Sequence, residues 1–527
     1  MKGRAIRFFL VLLITISWFL CGAGCKSDSG LDRSANNNGI GGTAPAQTLR
    51  IAWMESSKWG KDDIAERLEK MFGIAFDFVS LNWSDAANKL NVMVASGDVP
   101  DMFYYPALDD PSTKSVYIKW AESGILKPLP DDLGRYPNIE RVMKQYDYMK
   151  IGGRHYSIPR LAWQPENQHL SVGILVRTDY MRQLGFADMP ASLDEFVHLL
   201  TAMRDGDPDE NGKSDTIPFS PGSVGLLFLQ SLYGLTNGWI QENGRYVPSY
   251  ISDKYLAYTK FVKTLYDDGL IDSDFATEVP EQVSDKFAAG QIGAVGAQLE
   301  ATSMQVTLFD KLAKTVPDPY DIVDLLPITK GPYGDLVMTN QFNHYSATLF
   351  GAHMSDEKMD RALRLYDYLL SDKGLELMRW GIEDRDYRKE DGQYVDLRKA
   401  ESVSGTPNSL NVEKPTTNLK LLVSWDVDGG WGNPSLARAL VDLEKKHIAI
   451  YQKYIQQDKG ARINYLYEPA LDRFNYTDLT QLFFNNAVLG KYPDIDAAFK
   501  QMVAQVLTER GGSEAIRVAN ERAAAMP

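Results

Sequence analysis

The fold is decided by three short apolar segments, LRIAWM (49–54), FDFVSLN (76–82) and DMFYYP (101–106). Each has the length and composition of a β-strand. The segments between them carry apolar side chains at helical spacing, and they predict helices over 62–72 and 85–96. This β-α-β-α-β order predicts an α/β domain with a mostly parallel sheet and right-handed crossovers.

Helices outnumber strands further along the chain. A capping box at Ser192–Glu195 begins one helix, and VGILVR (172–177) reads as the strand that opens a second α/β block. Apolar periodicity predicts further helices at 223–233, 253–268, 280–289, 357–370, 436–457, 478–488 and 495–509. The chain therefore predicts two α/β units with added C-terminal helices.

Composition excludes several classes of protein. The 527 residues include 56 Lys and Arg against 70 Asp and Glu, a formal charge of −14, and 44% are hydrophobic. The acidic balance argues against binding a nucleic-acid backbone, since such proteins present a basic surface. The hydrophobic fraction excludes a wholly disordered chain. Only Cys21 and Cys25 are present, so the chain after residue 25 forms no internal disulfide.

The N-terminus reads as an export signal. Three basic residues precede an apolar run over 8–20, which is shorter than a membrane-spanning helix requires. The small residues Ala23 and Gly24 before Cys25 are typical of a bacterial lipobox, although Gly22 stands where an aliphatic residue is usual. We therefore expect a signal peptide over 1–24, lipidation (palmitate) of Cys25, and a flexible tether over 25–47. We therefore expect the protein at the outer face of a bacterial membrane, and we expect the cell to be Gram-positive.

A nine-residue loop has the spacing of a calcium site. Calcium prefers six to eight oxygen ligands, and alternating Asp and Asn side chains with a glycine at the turn supply them from one loop. The predicted ligands are the side chains of four residues and one backbone carbonyl: Asp207, Asp209, Asn211, Asp215 and the carbonyl of Lys213. Pro218 replaces the bidentate glutamate of an EF-hand. The alternative is a polar turn in which these side chains bond their own backbone.

Catalytic motifs are weak. The six histidines lack zinc-site spacing, and PGSVG (221–225) departs from the GxSxG motif at its first residue. Adjacent acid pairs such as Asp109 and Asp110 leave a glycosidase open as an alternative, although chance pairs are expected among 70 acidic residues. Several tryptophans lie beside Asn, Ser or Asp in loop-like contexts, and flat aromatic faces next to such groups favour sugar binding.

Four stretches resemble a known family. They are ASGDVPDMFYY (95–105), GGRHYSIPR (152–160), the segments 176–185 and 191–220 around the calcium-like loop, and the segments 265–277 and 286–297. The sequence resembles the extracellular solute-binding proteins, family 1, of carbohydrate ABC transporters, and in particular their LplA-like or LipO-like lipoproteins. The resemblance covers residues 48–510.

The resemblance implies a two-lobed fold of the type II periplasmic-binding-protein class, with a hinge between two α/β lobes. It implies an N-terminal lobe of 48–165 plus 320–400 and a C-terminal lobe of 166–319 plus 401–527. It also implies structural calcium in the loop, with Thr216 where alginate-binding relatives supply a further acid. After Gly296, where many members have tryptophan, this chain has Ala297.

We therefore predict a monomeric receptor, not an enzyme, that captures an oligosaccharide by lobe closure and delivers it to the permease of an ABC importer. A secreted glycan-active enzyme and a receptor for peptides or other non-sugar solutes remain alternatives. The predicted ligand-binding residues are Trp59, Asn82, Trp83, Tyr105, Trp163, Trp239, Glu300, Tyr345, Trp425 and Asp426.

Overall fold

A computed structural model gives the fold. It describes residues 46–106, 111–161, 172–222, 224–236, 238–339, 344, 346–390, 393–398, 410–424, 436–456 and 459–526. The strands are β1 Gln47–Met54, β2 Ile74–Leu81, β3 Met102–Tyr105, β4 Ser157–Pro159, β5 Val172–Arg177, β6 Ile217–Ser220, β7 Trp239–Glu242, β8 Arg245–Pro248, β9 Ile292–Gln298, β10 Val323–Leu325, β11 Lys330–Gly331, β12 Gly334–Asp335, β13 Met338–Thr339, β14 Ala347–Phe350, β15 Tyr387–Glu390, β16 Gln393–Asp396 and β17 Ile455–Gln456.

The helices surround these strands. They are α1 Asp63–Phe72, α2 Ala86–Ala95, α3 Pro111–Glu122, α4 Pro137–Met143, α5 Thr178–Gln183, α6 Leu193–Asp205, α7 Gly225–Leu232, α8 Asp253–Asp267, α9 Pro280–Ala288, α10 Ala301–Met304, α11 Asp310–Leu312, α12 Asp356–Leu369, α13 Asp372–Trp380, α14 Leu410–Glu413, α15 Arg438–Tyr451, α16 Lys459–Ile463, α17 Pro469–Asp472, α18 Thr477–Val488, α19 Ile495–Thr508 and α20 Gly512–Ala525.

The predicted β-α-β-α-β order at the start of the body is confirmed, with each boundary within two residues. Asp62 caps α1 because its side chain accepts hydrogen bonds from the backbone N–H groups of Ile64 and Ala65, both at 3.1 Å. Gly73 ends the helix in the left-handed region at φ 63°, which a glycine adopts without strain. Local signals therefore fix these elements.

The first sheet has five strands in the order β2-β1-β3-β14-β4. Strands β2 and β3 both run parallel to β1, whereas β14 runs antiparallel to its neighbours β3 and β4. The sheet is therefore mixed, because its fourth strand comes from much later in the chain and enters in the opposite direction.

The second sheet has four strands in the order β10-β5-β9-β6, and only β6 and β9 pair in parallel. The prediction of α/β units with helices flanking their sheets is confirmed, but both sheets are mixed rather than mostly parallel. Antiparallel pairing of β5 with β9 places the start of β5 beside the end of β9, where Val172 is opposite Gln298.

Two separate hydrophobic cores underlie the two sheets. The first core unit contains buried residues between 49 and 158, between 347 and 423, and Tyr465. The second core unit contains buried residues between 172 and 338 and between 440 and 523. The predicted lobe boundaries stay a prediction. Buried residues of 323–338 pack with the second core unit, and those of 419–423 pack with the first. The reason is that β10 pairs with β5, while Thr348 Oγ1 and Tyr366 Oη both donate to the carbonyl of Leu422.

Candidate functional site

Aromatic side chains gather at the carboxyl ends of the first three strands. Trp53 on β1 contacts Tyr104 on β3 edge to face, with ring centroids 5.6 Å apart. Trp83, two residues beyond β2, contacts Tyr104 in the same way at 6.1 Å. Parallel strands end at one edge of a sheet, so side chains from three separate segments form one aromatic cluster there.

Arg160 supports this cluster from the next segment of the sheet. Its guanidinium carbon lies 5.5 Å from the ring centroid of Trp53 and 5.5 Å from that of Tyr104. Its Nη1 donates to the carbonyl of Leu421 at 3.2 Å, and the side chain is fully buried. Cation–π contact and burial fix the two inner rings, whereas Trp83 keeps 42% of its surface exposed.

The structure therefore assigns clear positions to two of the predicted ligand residues. Trp83 presents an exposed ring at the edge of the sheet, and Asn82 beside it is exposed too. The predicted list of ligand residues leaves out the supporting residues Trp53, Tyr104 and Arg160. The available signal was their place at or beyond the ends of strands, but nothing local distinguished them from other core aromatics.

Three other predicted ligand residues lie in the cores. Trp59 contacts Phe78 edge to face at 5.5 Å, Tyr105 packs on Trp120 at 4.7 Å, and Trp239 contacts Phe474 at 6.1 Å. Each of the three is at most 5% exposed. Tyr105 also alternates with Tyr104 along β3, so it points to the opposite face of the sheet. These three rings therefore pack as core side chains in this structure.

Glu300 lies in the second core unit, two residues beyond the end of β9. It is buried, and the backbone N–H of the next residue, Ala301, donates to Glu444 Oε2 at 3.0 Å. Glu444, on α15, is buried as well. Two buried carboxylates therefore lie near the start of the short helix α10, at the end of β9 that adjoins the start of β5. The remaining predicted positions, Cys25, Trp163, Tyr345, Trp425 and Asp426, lie outside the described residues.

The calcium-like loop folds around the side chain of Asn211. Its Nδ2 donates to Asp209 Oδ2 at 2.8 Å and to Asp215 Oδ1 at 2.9 Å. Asp207 accepts from the backbone N–H groups of Asn211 at 3.0 Å and Gly212 at 2.8 Å. The loop thus brings two carboxylates to the Asn211 side-chain amide and a third to the backbone of Asn211 and Gly212, with Gly212 at φ 81° making the turn.

The carboxylates of this loop are crowded. Burial and the nearby charges of Asp207 and Asp215 raise the pKa of Asp209. Asp209 Oδ1 is buried and accepts no hydrogen bond from the described residues. Across those residues, no group of three or more His, Cys, Asp or Glu is arranged to hold a metal ion. The Asn211 amide N–H₂ stands between two of the carboxylates, those of Asp209 and Asp215.

A surface groove of about 460 Å³ lies elsewhere in the second core unit. It is lined in part by Thr178, Tyr320, Asp324, Leu440 and Lys446. Thr178 follows the carboxyl end of β5, whereas Glu300 adjoins the opposite end of that strand. The groove is therefore separate from the strand ends at which the aromatic cluster and Glu300 lie.

Residues 54–376 match the family of bacterial extracellular solute-binding proteins. This match spans more than half of the chain, and the chain belongs to that family. It is 26% identical over 384 residues to lipoprotein LipO of Bacillus subtilis, covering 70% of this chain and 73% of LipO.

Solved structures show the same fold. The alginate-binding protein AlgQ2, solved without calcium, superposes with a TM-score of 0.68 at 18% identity and covers 91% of this chain and 98% of its own. The Streptococcus pneumoniae ABC-transporter substrate-binding protein FusA, in complex with kestose, gives 0.68 and 18% over 91% of this chain and 99% of its own. A further FusA structure carries an EF-hand mutation. The fold is the two-lobed type II solute-binding fold, and proteins of this family bind solutes rather than catalyse reactions. Among the described helices, none combines the length and apolarity needed to cross a membrane.

Proposed function

We propose that this protein is the extracellular receptor of an ABC importer and that it captures an oligosaccharide. The observation that carries the proposal is the aromatic cluster of Trp53, Tyr104 and Trp83, which presents one exposed ring beside the Asn82 amide. A ring face with an adjacent hydrogen-bonding group is suited to a sugar. The kestose complex of FusA and the alginate binding of AlgQ2 support this ligand class.

The lobes of the receptor correspond to the two core units. In this proposal Trp83 of the first lobe stacks on the sugar, and the carboxylate of Glu300 in the second lobe accepts hydrogen bonds from sugar hydroxyls. Trp163, Tyr345, Trp425 and Asp426 stay in the proposal as predicted contacts. A ligand that touches both lobes favours the closed arrangement because it binds that arrangement more tightly. The permease recognises the closed form.

Calorimetric titration with a panel of oligosaccharides tests the ligand class. We expect saturable binding to one class, with kestose as a neutral probe and an alginate oligosaccharide as an anionic probe, and no release of cleaved product. Stabilisation by peptides with no response to any sugar would favour the non-sugar receptor. Hydrolysis of the sugar would favour the glycan-active enzyme.

We also propose a structural calcium ion in the loop 207–215. The donor set fits, because Asp207, Asp209 and Asp215 supply carboxylate oxygens and Asp209 Oδ1 is buried without a hydrogen-bond donor among the described residues. Rotation of the Asn211 amide would present its oxygen instead of its N–H₂ group. The carbonyl of Lys213 completes the proposed set. Calcium supplies charge compensation for this crowded loop. Thermal unfolding with and without a chelator tests the ion, and an unchanged melting temperature would refute it.

Anchoring is proposed from the N-terminal sequence. Cys25 carries the lipid after cleavage of residues 1–24, and residues 25–47 tether a monomeric receptor to the outer face of the membrane. Fractionation of cells grown with labelled palmitate tests this. We expect label in the wild-type protein and none after Cys25→Ala, with the variant released into the medium. Label that persists in the variant would contradict the assignment.

A further inference from the structure

Residues 464–472, which we call the brace, leave the second core unit and contact the first before the chain returns. Ile463, just before the brace, and Leu471, near its end, belong to the second core, whereas Tyr465 belongs to the first. Asn464 remains against the second unit, because its side chain packs on Gly238. The brace is thus a further contact between the two cores, in addition to the segments that connect the two sheets along the chain.

Tyr465 packs on one of those connections. Its ring centroid lies 5.0 Å from that of His344, and His344 lies 5.0 Å from Tyr146 of the first core unit. His344 falls between β13, in the second unit, and β14, in the first. All three rings are buried. The brace therefore contacts the chain at a point where it passes from one core unit to the other.

An ion pair joins the brace to helix α3 of the first unit. Lys114 Nζ lies 3.0 Å from Asp472 Oδ1, donates to the carbonyl of Leu466, and sits 5.1 Å from the ring centroid of Tyr467. Lys114 is only 6% exposed. Tyr117, one turn along α3, also contacts Tyr467 at 6.3 Å. One cation of the first unit is thus bound by three groups of the brace.

Separating the two units would leave a buried lysine without its partners. Loss of one member of a buried ion pair is strongly destabilising, because the other charge remains desolvated. Exposed ion pairs such as Lys260 with Asp496, within the second unit, contribute little. The position and burial of the Lys114 pair therefore resist relative movement of the two units.

We propose that the brace restrains the two lobes and limits how far they separate when no ligand is bound. This inference rests on the proposed function, since it takes the two core units as lobes that move. The brace lies beside a connection between the units, so it acts near the pivot. Its effect is on the ligand-free conformations rather than on sugar contacts.

Small-angle X-ray scattering of the ligand-free protein tests the brace. The test variant is Lys114→Met with Asp472→Leu, which removes both charges and keeps apolar volume. The matched control is Lys260→Met with Asp496→Leu, which removes an exposed pair. We expect the radius of gyration, roughly 23 Å for a compact chain of this size, to rise by a few per cent in the brace variant and to stay unchanged in the control. Equal values in all three proteins would overturn the proposal.

Hydrogen exchange of the backbone amides of α3 gives a second readout, with faster exchange expected in the brace variant alone. If the double variant does not fold, Tyr467→Leu removes the ring beneath the ammonium group and is judged by the same two measurements. Neither measurement uses a sugar. A larger radius of gyration in the brace variant of a protein that binds no sugar would support the brace and refute the proposed receptor function. Sugar binding with an unchanged radius of gyration in the brace variant would support the receptor function and refute the brace.

Discussion

At the scale of single residues, exposure separates Trp83 from the other described tryptophans predicted to bind a ligand. We expect Trp83→Ala to weaken sugar binding about tenfold, or about 1.4 kcal/mol, because one stacking face is lost. The melting temperature should change little, since 42% of the side chain is already exposed. Calorimetric titration of wild type and variant with the sugar that binds measures this difference.

Tyr394 offers a matched control. It is 40% exposed on β16 and stacks on Trp380 with ring centroids 4.5 Å apart, in a hairpin outside the aromatic cluster. Tyr394→Ala should leave the sugar affinity unchanged. Unchanged affinity in Trp83→Ala, or an equal loss in both variants, would show that Trp83 is not a specific contact.

His344 predicts a loss of stability in acid. Burial between Tyr146 and Tyr465 lowers its pKa from 6.5 to about 3, so the folded state binds this proton less readily than the unfolded state. Its contribution is complete above pH 6.5 and is lost as the pH falls toward 3. Because of this group, the unfolding free energy should be about 2 kcal/mol lower at pH 5 than at pH 8. Urea unfolding at several pH values measures the slope.

His344→Phe is the comparison for this prediction. A phenyl ring keeps an aromatic group between the two tyrosines and cannot be protonated. The variant should show a shallower fall in unfolding free energy between pH 8 and pH 5 than the wild type, whatever its stability at pH 8. Parallel curves for the two proteins would exclude His344 as the source.

Residue types were more predictable than their environments. Trp59 and Trp83 both lie in short polar sequences after strands, and the same reasoning assigned both to the ligand. Trp59 is buried because Phe78 on β2 packs against it, and a Cβ at Gly60 would come within 2.9 Å of that same ring. Contacts of this kind join separate segments, so the local sequence does not reveal them.

At the scale of elements, local signals predicted boundaries well. Asp62 and Gly73 delimit α1, and the predicted helix over 253–268 is observed as Asp253–Asp267. The helix predicted over 436–457 is shorter, since α15 ends at Tyr451 and a short 3₁₀ turn follows. Strand pairing was harder to predict from the sequence than element boundaries, because the direction of β14 depends on where the chain crosses between the two units.

Gly296 on β9 tests a close approach between elements. A Cβ at this position would lie 2.1 Å from the carbonyl oxygen of Pro221 and 2.5 Å from the backbone of Gly225, where α7 begins. Neither backbone group moves without shifting α7. We expect Gly296→Ala to lower the unfolding free energy by about 3 kcal/mol, measured by urea unfolding. In Gly134→Ala the added Cβ meets only the Asp132 side chain, at 3.1 Å, and the change should stay within about 1 kcal/mol. Equal effects would contradict tight packing at β9.

The loop 207–215 predicts opposite responses with and without calcium. Asp209→Asn removes one of three crowded carboxylates, so the calcium-free protein should be no less stable than wild type. The same change should abolish the stabilisation by calcium, which for one site is about 2.7 kcal/mol at a free concentration one hundred times Kd. Calorimetric unfolding in chelator and in excess calcium measures both. A calcium-dependent rise in melting temperature that persists in the variant would contradict the ligand assignment.

At the scale of the whole molecule, the two-lobed class was predictable from the sequence. The positions at which the chain passes from one core unit to the other were not. The predicted division at 319/320 falls before β10, which pairs with β5 of the second unit. Residues 419–423 return to the first core, although helices before and after suggest one continuous C-terminal block. Both contacts are long-range, and periodicity along the chain does not record contacts of that kind.

Two lobes that close on a ligand predict a change in overall size. Sugar binding should reduce the radius of gyration, because the proposed contacts from Trp83 on one unit and Glu300 on the other are satisfied together only when the units approach. The reduction should follow the same saturation curve as the calorimetric titration. In Trp83→Ala it should need about tenfold more sugar yet reach the same final value, since the variant alters affinity and not the closed state. If the radius of gyration is unchanged when the protein is saturated with sugar, the lobes are already closed without ligand. The ligand would then be captured by a local rearrangement and not by lobe closure.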